Sequence, residues 1–143
     1  MIYIKNEINH PTINQAAILF MRHYRDTEFL DMVRNVSKFN HTEDTGEQVA
    51  KKIEEAVMEV TIKGYRTFSP WSNVIGYAKG NTIFINTRKL DSIGVVDRCE
   101  NIYHEICHVL NYSHRGNRPD KYNLGSVPYM LGAMFGRYIA TKI

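Results

Sequence analysis

A chain of 143 residues, 43% hydrophobic and 23% charged, can bury one core as a single domain and is too well mixed to stay disordered. Its net charge of +3 is spread along the chain, with only a small local cluster at Arg115, Arg118 and Lys121, so a solvated surface is expected and not a nucleic-acid footprint. No segment approaches the roughly 18 apolar residues of a membrane span, and no apolar run follows a basic start, which predicts a cytoplasmic protein with no membrane partner.

In chain order, "MIYIKN" alternates apolar and polar residues and predicts a short strand. From Thr12 to about Phe39 the apolar positions Ile13, Ala17, Phe20, Met21 and Tyr24, then Phe29, Leu30, Val33 and Val36, follow helical spacing. One long helix and two helices broken near Asp26 and Thr27 both fit. "HTEDTGE" reads as a loop, and "EQVAKKIEEAVM" as an amphipathic helix with Val49, Ile53, Ala56 and Val57 on one side.

The period then changes to two. "EVTIKGYRTF" predicts a strand, and "NVIGYAKGNTIFINT" two more, joined by a turn at Lys79, Gly80 and Asn81. "LDSIG" supplies a helix start with Asp91 or Ser92 as cap, for a helix from about Val95 to Leu110. A loop from Asn111 to Gly125 precedes a closing helix that begins near Pro128. The sum is an α+β fold over residues 1–143, one domain with a small mixed, twisted sheet and two C-terminal helices.

The helix from Val95 is two-faced. Val95, Cys99, Ile102, Tyr103, Ile106, Val109 and Leu110 fall on one side, and Asp97, Asn101, His104 and His108 on the other. Residues 104 to 108 read His-Glu-Ile-Cys-His. Spacing of four places both imidazoles one turn apart on one face, where they can share a metal ion, and leaves Glu105 one residue round, within reach of a metal-bound water. A catalytic zinc takes three protein ligands and keeps a fourth position open. No glutamate follows His108, so the third ligand is sought at His114 or Asp120. His114 requires the chain to double back, and Asn111, midway, suits the left-handed residue such a reversal needs.

Cys107 points about 100° away from the two histidines and is read as no ligand. Cys99 and Cys107 stand about 12 Å apart along the helix axis, too far for a disulfide, and free thiols fit a reducing compartment. Phe68 and Trp71 are expected to cap the core, and His10, His23 and His41 to lie on the surface.

The stretch "HEICHVLNYSH" resembles the motif HExxHxxGxxH of the metzincin zinc peptidases, with Asn111 in place of glycine. The likeness extends upstream, because "VIGYA", "KGN", "TIFINT" and the helix follow the family's order of edge strand, turn, strand and active-site helix. It covers roughly residues 74 to 114 and implies a zincin-like fold, one zinc ion per chain, and hydrolysis of a peptide or protein substrate. By that resemblance His104, His108 and His114 are the zinc ligands and Glu105 the general base. The backbone of Gly76, Tyr77 and Ala78 pairs with substrate. Met130 is the candidate for the methionine turn beneath the metal, although "SVPYMLGAM" departs from the usual pattern. Tyr129 is either a core tyrosine at a helix start or, as in some members, an oxyanion stabiliser.

Two other readings share the three histidines. A zinc-dependent endoribonuclease family that matures ribosomal RNA is similar in spacing but typically has glycine at the position of Glu105, whose charge would repel phosphate. A non-catalytic zincin-fold module with zinc as a staple would gain nothing from Glu105.

Overall fold

Alternation along four short segments builds the sheet that backs the site. In the computed structural model, which describes residues 1–116 and 120–143, β1 (Ile2–Asn6), β2 (Met58–Tyr65), β3 (Gly76–Lys79) and β4 (Thr82–Asn86) lie in the order β1-β2-β4-β3. β1 with β2 and β2 with β4 are parallel, whereas β3 runs antiparallel to β4. The mixed sheet of the sequence reading is therefore present. Ile2 and Ile4, Val60 and Ile62, and Ile83 and Ile85 bury one face, as the period of two requires.

β3 is an edge strand, paired with β4 on one side only. Gly76 allows that pairing, since a Cβ there would stand 2.6 Å from the Phe84 carbonyl oxygen. The chain entering β3 is held from beneath by fully buried Asn86. Its Nδ2 donates to the Thr67 hydroxyl at 3.2 Å and the Val74 carbonyl at 2.9 Å, and its N–H donates to the Ile75 carbonyl at 2.8 Å. The connection so anchored does not cap the core as expected: Phe68 is 101% and Trp71 85% exposed.

The long N-terminal periodic stretch is two helices, α1 (Pro11–His23) and α2 (Thr27–Arg34), broken at Asp26, the second of the two readings. His10 is not a plain surface residue. Its Nδ1 accepts from the Thr12 N–H at 3.3 Å and caps α1. α3 (Gly46–Glu55) carries a capping box of Thr45 and Gln48.

The later helices are α4 (Val95–Val109), one-turn α5 (Lys121–Leu124) and α6 (Val127–Ala140). α4 begins at Gly94 with no side-chain cap, not at Asp91 or Ser92. Those two residues follow a 3-10 turn (Thr87–Lys89), and the Ser92 hydroxyl donates back to the Lys89 carbonyl at 3.2 Å. α6 begins at Val127, capped by Ser126, with Pro128 in the first turn where its missing N–H costs nothing.

α4 packs against α1, the β3–β4 hairpin and α6. Its inner face joins an aromatic core in which the Tyr103 ring lies 5.4 Å from that of Phe20, 5.2 Å from Phe29 and 4.6 Å from Phe135. Against α6 the approach is closer, because Gly132 and Gly136 face the Glu100 turn of α4. The outer face of α4 is thus fixed from three sides. No helix among the described residues is long and apolar enough to cross a membrane.

Candidate metal centre

Helical spacing puts His104 and His108 on one face of α4, and their Nε2 atoms stand 3.2 Å apart. His114 comes back to the same point: its Nε2 is 3.1 Å from that of His104 and 3.0 Å from that of His108. Nitrogen donors about 2.0–2.1 Å from a tetrahedral zinc stand about 3.3 Å from one another, close to the spacing found here. Among the described residues these three form the one group of histidine, cysteine or acidic side chains able to hold an ion.

The reversal after α4 follows from Asn111. Its φ is 70°, its N–H donates to the His108 carbonyl at 2.9 Å, and the Tyr112 N–H donates to the Cys107 carbonyl at 3.0 Å. Those two bonds around a left-handed residue are a Schellman motif. The turn has a chemical consequence. It carries the Tyr112 carbonyl to 2.9 Å from His108 Nδ1, so that nitrogen must be the protonated one and Nε2 presents its lone pair to the cluster. Tyr112 is in turn held by its hydroxyl, which donates to Asp44 Oδ2 at 2.7 Å.

Burial lowers the pKa of all three imidazoles. His104 falls to about 3, first by desolvation and then by the neighbouring His108 and His114. His108 is lowered by desolvation, opposed by its bond to the Tyr112 carbonyl, and His114 by desolvation with His41 adding to it. Neutral imidazoles are what metal coordination needs. Nitrogen lone pairs converging at about 3 Å repel one another unless a cation lies between them, so the cluster fits a divalent ion on its own geometry.

Glu105 is 4% exposed, and its Oε2 has no hydrogen-bond partner. Desolvation raises its pKa to about 7. An unpartnered carboxylate oxygen in a buried position is costly to keep charged. Its charge also reaches two tyrosines, Tyr65 at the end of β2 and Tyr129 in α6; both are raised by burial first, then by Glu105 among others. The Tyr129 ring lies 4.6 Å from the rings of both His104 and His114.

Asp120, the other candidate for third ligand, is occupied elsewhere. Its Oδ1 accepts from the N–H groups of Tyr122 and Asn123 at 3.1 and 3.0 Å and caps α5. Met130 lies not in a tight turn but in the first turn of α6, its N–H on the Ser126 carbonyl at 2.9 Å. Cys107 is fully buried and outside the cluster. Gly76, Tyr77 and Ala78 lie in the edge strand β3, against which α4 packs. Of the basic cluster, Arg118 lies outside the described residues.

Beside the return segment a cavity of about 950 Å³ opens, lined in part by Phe39, Asn40, His41, Arg115, Gly116 and Asn123. Of these His41, expected to be an ordinary surface residue, has a left-handed φ of 64°. Sequence reasoning also missed Tyr112 and Asn123. Tyr112 was within reach, since a left-handed residue at 111 makes the next residue the one whose N–H closes on the last turn of the helix.

No protein-family model, no curated protein and no solved structure matches the chain.

Proposed function

We propose that the chain is a zinc-dependent peptidase of zincin-like fold, with His104, His108 and His114 holding the ion and Glu105 serving as general base. The observation that carries this reading is the meeting of three neutral imidazole nitrogens within 3.2 Å of one another on the helix that also presents a buried carboxylate with a free oxygen. Borderline imidazole donors favour zinc over the hard cations that take oxygen ligands. A structural zinc site is closed by four protein ligands, whereas the described residues offer three. The likeness of "HEICHVLNYSH" to the metzincin motif supports the same assignment.

Zinc held there supplies Lewis-acid activation of water at neutral pH. Glu105 takes the proton of the attacking water through Oε2 and passes it to the leaving amine. The Tyr129 hydroxyl donates to the oxyanion that develops on the scissile carbonyl. An extended substrate adds to the open side of β3, with Gly76, Tyr77 and Ala78 supplying backbone hydrogen bonds.

Elemental analysis of the purified protein is expected to give about one zinc per chain, lost in His108→Ala. A peptide library is expected to be cleaved, and Glu105→Gln to keep its metal while losing about 10²–10⁴ in turnover. Absence of metal even after zinc is added back overturns the reading. Undiminished turnover in Glu105→Gln removes the base, and zinc-loaded protein that cuts RNA but no peptide transfers the site to another substrate.

A further inference from the structure

The third histidine comes from outside the helix, and the backbone that carries it is gripped by a side chain that belongs to no ligand motif. Asn123 is fully buried in the one-turn helix α5, just ahead of α6. Its Oδ1 accepts from the Arg115 N–H at 2.8 Å, and its Nδ2 donates to the Arg115 carbonyl at 2.5 Å. One carboxamide therefore satisfies both backbone groups of one residue, as a neighbouring strand would. Arg115 directly follows His114, so the grip fixes the peptide plane from which the third imidazole projects.

The same residue reaches the other side of the centre. The Asn123 carbonyl accepts from the Ser126 N–H at 2.9 Å and from the Ser126 hydroxyl at 2.5 Å. Ser126 Oγ accepts from the Tyr129 N–H at 3.5 Å and caps the helix that brings Tyr129 against His104 and His114. The turn is braced from behind. Asn40 Nδ2 donates to the Tyr122 carbonyl at 3.0 Å, the Asn40 N–H donates to the Gly125 carbonyl at 2.8 Å, and a side chain at Gly125 would run into the Asn40 carboxamide.

We infer that Asn123 is a positioning residue of the metal centre, its carboxamide holding His114 at the ion and its carbonyl setting the start of α6 that carries Tyr129. The inference rests on the triad being a metal site, not on peptidase activity. Outer partners that orient a ligand are worth 10–100-fold in metal affinity, and Asn123 acts at the ligand with the least help from regular secondary structure.

The test is zinc affinity by chelator competition, with the melting temperature of the metal-free protein measured alongside. Asn123→Ala removes both bonds to Arg115, and nearly isosteric Asn123→Asp leaves no cavity and so keeps the test open should the alanine variant not fold. Both are expected to bind zinc about 10–100-fold more weakly. Cobalt(II) substituted for zinc is expected to lose visible absorption intensity in both variants as the third nitrogen is released. In a His114→Ala background neither substitution is expected to weaken zinc binding further. Unchanged affinity in a folded variant overturns the inference, as does an equal loss in the His114→Ala background, which would make Asn123 a general stabiliser. Failure of the unsubstituted protein to bind zinc removes the triad reading itself; binding that withstands both substitutions removes only the role of Asn123.

Discussion

Helix α4 and the segment that follows it each bring imidazole to one point, but by different physics. His104 and His108 are placed by backbone periodicity, which any four-residue step along a helix repeats. His114 is placed by a left-handed residue, two bonds from a side chain to Arg115, and a one-turn helix with its own cap. The helical half withstands side-chain changes that leave the helix packed. The return half is a chain of single hydrogen bonds, each typically worth about 1 kcal/mol, so its precision depends on every one of them.

The largest effect on stability is expected where α6 meets the helical half. A Cβ at Gly132 would lie 2.9 Å from the Glu100 carbonyl oxygen and 3.3 Å from His104 Cβ, and neither backbone can yield cheaply. At Gly136 the nearest atom is instead Glu100 Oε2 at 3.1 Å, the end of a flexible side chain, with Glu100 Cβ at 3.3 Å and the nearest backbone atom, the Val96 carbonyl oxygen, only at 3.8 Å. Alanine normally improves a helix interior by about 1 kcal/mol over glycine. Gly132→Ala is nonetheless expected to cost about 1–3 kcal/mol through overpacking, and Gly136→Ala to be close to neutral. Denaturant unfolding of the two variants side by side checks this; a Gly132→Ala protein as stable as the parent would mean that α6 does not fix the face carrying His104.

The next effect separates the two halves at their junction. Tyr112 receives His108 Nδ1 through its carbonyl and holds its own place through its hydroxyl on Asp44. Tyr112→Phe removes only the hydroxyl, at an expected cost of about 1 kcal/mol. The pH dependence identifies the bond. Asp44 is held below the ordinary carboxylate range first by Tyr112 and then by Lys52. A depressed folded pKa contributes stability that is present above the unfolded value, about 3.9, and lost as pH falls through the folded value. The gap in stability between parent and Tyr112→Phe should therefore be full at neutral pH and narrow in acid. A gap independent of pH would assign the loss to packing and not to the bond with Asp44.

The same contrast explains what could be read before the fold was seen. α4 and its two faces are local and periodic, and they stand in the sequence as apolar spacing, whereas the same spacing left one helix or two equally open between Thr12 and Phe39. His114 was one of two candidates because reversal after a helix is signalled only by Asn111, and Asp120 fell away once it proved to cap α5. The grip of Asn123 on Arg115 spans eight residues with no repeat to announce it. Exposure of Phe68 and Trp71 was missed for a related reason: bulk and apolarity predict burial, yet this connection is anchored by Asn86 at its ends and not by its aromatic rings.

The smallest effect tests the reversal alone. At φ 70° Asn111 occupies a region that costs an ordinary L-residue about 1–2 kcal/mol, which asparagine tolerates and glycine does not feel. Asn111→Gly relieves the residual strain but gives back a similar amount in unfolded-chain entropy, so stability should stay within about 0.5 kcal/mol of the parent. Asn111→Ala has no such compensation and should lose about 1 kcal/mol. If the Schellman turn is what aims Tyr112 at His108, zinc affinity follows the same order, parent and glycine variant alike and the alanine variant weaker. An alanine variant that loses stability but binds zinc as the parent does would show that the hydroxyl of Tyr112 and the grip of Asn123 keep the return segment in register without the turn.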